Sequence, residues 1–188
     1  MSDKSDMPKV EILKMRDTAE DHRIHKRSTF DLPMRLLIVG KSQLSGKTNT
    51  VGNLMLRPFD DTDESGSQFY KKDFDGNDIY IVCPSTLVDH KWSSIIRGKK
   101  IPPENVMMKY DEEQLTKLYE KLEEQYHEKM NEGEKPTHKL VILDDCSFGG
   151  SLKEKMNGVI ARLACNSRHI LVSLIVTAQK YSDLLTTL

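Results

Sequence analysis

The feature that most constrains this chain is the stretch Leu36-Leu37-Ile38-Val39-Gly40-Lys41-Ser42-Gln43-Leu44-Ser45-Gly46-Lys47-Thr48, an apolar run that ends in a small polar turn closed by Gly-Lys-Thr. The apolar run reads as a buried strand. The turn offers backbone N–H groups to an anion, and the helix that follows points its positive end at the same place. The candidate phosphate-binding residues are therefore Gly40, Lys41, Ser42, Gln43, Leu44, Ser45, Gly46, Lys47, Thr48 and Asn49. Lys47 is expected to reach the β- and γ-phosphates of a nucleoside triphosphate, and the Thr48 hydroxyl to meet Mg²⁺, its usual companion. The spacing is irregular, because five residues separate Gly40 from Gly46 where the consensus has about four. Either the loop is one residue longer, or Lys41 takes the first-glycine position and Gly40 ends the strand.

A chain of 188 residues is long enough for one domain with a sizeable core. Hydrophobic residues make up 37% and charged residues 30%, a polar but globular balance. The net charge of -1 gives no overall pull toward nucleic acid, so contact with DNA would need a local basic patch or an assembly. Cys83, Cys146 and Cys165 are widely spaced in or beside apolar stretches, which suggests small core residues in a reducing compartment. His25, His90, His127, His138 and His169 are scattered, which argues against structural zinc. With no apolar run of spanning length and no signal-peptide pattern, the chain is expected to be soluble and intracellular, with no membrane-spanning segment.

Residues 1–33 read as a polar N-terminal extension in which Met7 to Met15 can form an edge strand, and residues 34–188 as the main domain. Thr48 to Leu56 is expected to be a helix with Val51, Leu54 and Met55 on one face, ended by Pro58 and followed by a loop from Asp60 to Gly66. Asp78 to Pro84 reads as a second buried strand, Trp92 to Ile96 as a short helix, and Val106 to Met108 as a short strand. Asp111 to Asn131 is a long charged helix with Leu115, Leu118 and Leu122 at helical spacing. Lys139 to Asp145 is a further strand, Lys153 to Asn166 a helix, and His169 to Thr177 a buried strand ending at Ala178-Gln179. This alternation implies an α/β fold with a parallel sheet.

Ligands on such sheets bind outside the carboxyl ends of the strands. Asp144 and Asp145 end one apolar strand there and Gln179 ends another. Asp144 is the candidate Mg²⁺ ligand, directly or through water, and Asp145 the candidate carboxylate that orients the attacking water. Gln179 is placed to sense the γ-phosphate or that water. The plainer alternatives are that the two aspartates begin a turn and that Gln179 merely marks a strand end. Arg168 precedes its strand and so falls at the opposite edge. It is either a surface residue or a guanidinium that serves a neighbouring subunit's nucleotide.

The phosphate loop, Val141-Ile142-Leu143-Asp144-Asp145, Ser167-Arg168-His169 and Val172 to Gln179, in that order, resemble the genome-packaging ATPases of poxviruses and other large or icosahedral DNA viruses, within the FtsK/HerA group of P-loop motor ATPases. The resemblance covers roughly residues 34 to 181. It implies a P-loop NTPase three-layer sandwich of the additional-strand type, with the strand before Gln179 lying between the phosphate-loop strand and the Asp144-Asp145 strand. It further implies an ATP-hydrolysing, Mg²⁺-dependent motor, working as a homo-oligomeric ring, that translocates double-stranded DNA into a preformed capsid. Lys47, Asp145, Gln179 and Arg168 would be catalytic, with Asp145 where a Glu is more common. Capsid or portal-vertex proteins are the implied partners, and the host-cell cytoplasm, a viral assembly site or the virion the implied location. Related motor domains continue with at least one more strand, so the domain is expected to be truncated at its C-terminal end. Two other functions remain open: a small-molecule or nucleotide kinase, and a non-hydrolysing nucleotide-binding scaffold in virion assembly.

Overall fold

The computed structural model describes residues 22–26, 29–41, 45–56, 69–86, 89–146 and 158–179. Five strands form one sheet: β1 (Arg35–Val39), β2 (Ile79–Val82), β3 (Val106–Met107), β4 (Lys139–Asp144) and β5 (Val172–Ala178). Their order across the sheet is β1-β5-β4-β2-β3, and every pairing is parallel. The last strand therefore stands between the first and the fourth, as expected for the strand that precedes Gln179. Its register sets Val39 opposite Ala178 and Asp144 opposite Thr177, so the ends of β1, β5 and β4 lie level.

Helices α1 (Lys47–Leu56), α2 (His90–Lys99), α3 (Glu112–Asn131) and α4 (Val159–Cys165) follow the pattern of apolar residues. Asp89 caps α2 by accepting from Lys91 N at 2.9 Å, and Asp111 caps α3 by accepting from Gln114 N at 3.0 Å. Each satisfies an N–H that the helix itself cannot. Because side chains alternate along a strand, each strand feeds two cores. Tyr80, Val82, Val141, Leu143, Leu174 and Val176 pack with α3 and α4, while Ile79, Ile81, Leu140, Ile142 and Ile175 pack with α1 and α2. Burying each such side chain stabilises by about 1.5–3 kcal/mol relative to exposure. On the first face, Arg162 of α4 stacks over the ring of Tyr119 of α3, 4.3 Å from its centroid.

Several expectations change. The strand β1 is not buried: among the described residues it has one neighbour, at the edge of the sheet, and it leaves Val39 43% exposed and its middle residues half-exposed. β5 begins at Val172 rather than His169, because Ser167–Ile170 form a 3-10 turn and Leu171 takes a left-handed φ of 56°. Cys165 is exposed at the end of α4, whereas Cys83 and Cys146 are core residues. The possible strand at Met7 to Met15, the helix end at Pro58, the loop from Asp60 to Gly66 and the first part of the helix expected from Lys153 lie outside the described residues.

Part of the polar extension is packed on the domain. Ile24 and Leu32 pair as an antiparallel bridge, and Leu32 and Met34 are buried. Lys26 is ion-paired with Asp73 at 2.7 Å, and the Tyr70 hydroxyl donates to Phe30 O at 2.8 Å. The arm's other anchor is His138, just before β4, whose Nε2 bonds His22 O at 2.7 Å. Burial lowers the His138 pKa below its ordinary 6.5, and the buried Nδ1 has no hydrogen-bond partner among the described residues. The neutral ring is therefore favoured in the fold, while the unfolded chain takes up a proton below about pH 6.5. Stability from this site is present above that value and is lost as pH falls. Denaturant midpoints measured between about pH 8 and about pH 5 should drop more steeply for the parent than for His138→Gln.

Candidate functional site

The described ends of the loop that follows β1 close tightly on themselves. Gly40 N donates to Ala178 O at 3.0 Å, which ties the loop's entry to β5. A Cβ on Gly40 would sit 2.8 Å from Ser45 Cβ, so the returning chain needs a glycine there. At the exit, Gly46 has a φ of 78°, a conformation an L side chain enters only at a cost. Its carbonyl accepts from Thr50 N at 2.8 Å to start α1. Ser42, Gln43 and Leu44 lie outside the described residues; Lys41, Ser45 and Asn49 are exposed, and Thr48 is half-buried.

Lys47 turns inward. Its side chain is only 8% exposed, and Nζ donates to Gly40 O at 3.0 Å and faces Asp145 Oδ2 at 3.3 Å. Gln179 Nε2 donates to the same Oδ2 at 3.2 Å. Three residues named from the sequence thus meet at the carboxyl edge of the sheet. Asp145 can stand there because it leaves the strand in a left-handed conformation, φ 45°. Its N–H is held by Thr177 O at 3.3 Å and Thr177 Oγ1 at 3.1 Å.

Asp144 points the other way, among the side chains that pack under α1 and α2, and is 3% exposed. Its Oδ1 accepts from the Thr177 hydroxyl at 2.6 Å, and its Oδ2 from Trp92 Nε1 at 2.7 Å and from the Cys83 thiol at 3.2 Å. A buried carboxylate needs such donors, since it is otherwise strongly disfavoured. Burial pushes the Cys83 and Cys146 thiols up to about 12, so both are protonated at neutral pH and Cys83 is a donor.

Arg168 lies with the 3-10 turn at the amino edge, away from this cluster. It is exposed, and its Nε contacts His169 Nε2 at 3.2 Å. Arg35, the first residue of β1, shares that edge: its Nη2 donates to Cys165 O at 2.8 Å, and burial followed by the positive charge of Arg168 lowers its pKa. The structure therefore brings Lys47, Asp145 and Gln179 together and keeps Arg168 apart, as the strand directions require.

Among the described residues no group of three or more His, Cys, Asp or Glu converges on a metal position. Mg²⁺ does not need one, because it keeps several waters and is usually held by one or two carboxylates together with substrate phosphates. The donors fit that pattern. Thr48 has a hydroxyl oxygen at the start of α1, and Asp144 Oδ1, which accepts one hydrogen bond, keeps a lone pair free.

Trp92, Thr177 and Cys83 were not named from the sequence. A signal for Thr177 exists: Ser173 and Thr177 lie on one face of an otherwise apolar buried strand, and buried hydroxyls require partners. For Trp92 there is no such signal, since a Trp at helical spacing reads as core. No protein-family model matches this chain, and no curated protein matches its sequence.

Thr177 serves both aspartates, donating to Asp144 and accepting from Asp145 N. Thr177→Val keeps the shape and removes both bonds. It should cost about 1–3 kcal/mol in chemical denaturation, the range for leaving buried polar groups unsatisfied.

Proposed function

We propose that this chain is a P-loop ATPase of the additional-strand type, similar to the FtsK/HerA-group genome-packaging motors, that hydrolyses ATP to drive double-stranded viral DNA into a preformed capsid. The observation that carries the reading is the meeting of Lys47, Asp145 and Gln179, from three distant parts of the sequence, at the end of a strand inserted between the other two. The DNA-moving part rests on the sequence resemblance, as do the ring of subunits, the capsid or portal-vertex partners and the location at a viral assembly site.

Each residue then has a definite task. Lys47 exchanges Asp145 for the β- and γ-phosphate oxygens, which concentrate more negative charge than one carboxylate. Released from the ammonium, Asp145 Oδ2 accepts a hydrogen bond from the attacking water and orients it, with Gln179 Nε2 beside it. Thr48 and Asp144 Oδ1 would hold Mg²⁺, directly or through its waters; when bound, the ion neutralises charge on the phosphate oxygens. Phosphate release from ATP, with and without Mg²⁺ and with and without double-stranded DNA, tests the reading. The motor requires Mg²⁺-dependent turnover that DNA accelerates, and a pure scaffold would show none.

One observation favours a second reading, a small-molecule kinase. A groove of about 510 Å³ runs between α1 and α2 beside Thr48, lined also by Asn49, Asn53, Lys91 and Ser94, and in that reading it is the acceptor site. A kinase consumes ATP without releasing inorganic phosphate in proportion to ADP, so measuring both products separates the two.

Lys47→Ala should abolish nucleotide binding or turnover, whereas Asp145→Asn should keep nucleotide affinity and lose hydrolysis, because an amide is a poor base. Equal loss of binding in both variants, measured by nucleotide titration, would contradict this division of labour. Arg168 is too far round the sheet to serve its own subunit's loop. We therefore expect a mixture of Arg168→Ala and Lys47→Ala proteins to recover turnover that neither shows alone. An arginine supplied in trans is worth about 10³ to 10⁵ in rate, so recovery is easily measured; no recovery in verified mixed assemblies would leave Arg168 a surface residue.

A further inference from the structure

Trp92 is the only tryptophan in the chain, and none of its surface is exposed. A buried indole N–H needs a partner, and a backbone carbonyl would serve. Here the partner is the buried carboxylate at the end of β4, Asp144 Oδ2 at 2.7 Å, the short, charge-assisted end of the range. The second donor on Oδ2 is the Cys83 thiol at 3.2 Å, and the donor on Oδ1 is the Thr177 hydroxyl at 2.6 Å. These three donors come from α2, the end of β2 and β5. Asp144 cannot rotate unless separate elements move with it.

Each carboxylate oxygen has about two acceptor positions. Among the described residues Oδ2 has both filled and Oδ1 has one filled, which leaves a single acceptor position, on Oδ1, for a further partner. We infer that Trp92 is a positioning residue that decides cation specificity: by occupying Oδ2 it allows Asp144 to meet a cation or its water through one oxygen only. Mg²⁺ has octahedral coordination, keeps its waters and is satisfied by such a contact. Ca²⁺ is larger, takes more oxygens and commonly binds carboxylates through both. The indole thus favours Mg²⁺ over Ca²⁺ at the phosphate loop. This inference rests on the nucleotide reading above but concerns a residue outside the motifs that suggested it.

A single tryptophan gives a single indole ¹H–¹⁵N resonance. In uniformly ¹⁵N-labelled full-length protein, Asp144→Asn should move that resonance upfield as the acceptor weakens. In the parent with ADP, added Mg²⁺ should shift it, and Ca²⁺ should shift it less or only at higher concentration. Trp92→Phe should raise the Mg²⁺ needed for half-saturation by about 10- to 100-fold, the usual effect of losing a hydrogen-bond partner behind a metal ligand, and should narrow the Mg²⁺-to-Ca²⁺ preference. Because Phe also leaves a gap, the same titration is made with a benzothienyl analogue of tryptophan at position 92, which keeps the shape and lacks the N–H. An analogue protein that discriminates Mg²⁺ from Ca²⁺ like the parent overturns the inference, as does an indole resonance that ignores Asp144→Asn. If the parent binds ADP but the analogue changes nothing, only this inference fails. If the parent binds no nucleotide, the reading of the loop fails and takes the inference with it.

Discussion

The meeting of Lys47, Asp145 and Gln179 at the carboxyl edge depends on β5 being central. It is the last strand among the described residues, buried along its whole length, and it pairs with β1 on one side and β4 on the other. Its Ser173 hydroxyl also accepts from Met34 N across 139 positions of sequence. Such long-range pairing is slow to form, because loop-closure entropy must be met before any contact is gained. Without β5, Lys47 and Asp145 would stand on strands separated by an open gap. Its insertion supplies the Thr177 hydroxyl and the Gln179 amide, and brings the loop's lysine and the acid within ion-pair distance.

Two consecutive aspartates acquire opposite surroundings through one backbone torsion. Asp144 keeps the alternation of β4 and faces the core beneath α1 and α2. Asp145 leaves it with φ 45° and faces Lys47. The left-handed conformation costs an L residue roughly 1–2 kcal/mol, least for Asp and Asn. Two oxygens of Thr177 holding the Asp145 N–H offset that cost. The result is one carboxylate enclosed by donors and one within reach of a ligand.

These contacts differ in kind from the exposed ion pairs of the helix surfaces. Lys117 and Glu113 on α3 approach to 2.6 Å while remaining 70% and 78% exposed, so solvent screening leaves the pair with little net effect on stability. Lys47 and Asp144 are largely withdrawn from water, and there the loss of one partner leaves a charge uncompensated. The many charges of α3 therefore form a solvated face, and the few at the strand ends make up the candidate site.

The sequence by itself determined most of the elements and named the candidate site side chains that the fold brings together. Apolar runs marked β1, β2, β4 and β5, helical spacing marked α1 and α3, and Gly46-Lys47-Thr48 with Asp144-Asp145 marked one edge, because these are local patterns repeated every two or three to four residues. Tertiary structure alone decided the surroundings. It made β1 an exposed edge strand, since exposure depends on how many neighbours a strand has. It also left Cys165 in solvent, folded part of a polar arm against His138, and turned Trp92 from core filler into the donor that holds Asp144. No local pattern encodes these outcomes, because each depends on which residue arrives from a distant element, and that is fixed only when β5 inserts between β1 and β4.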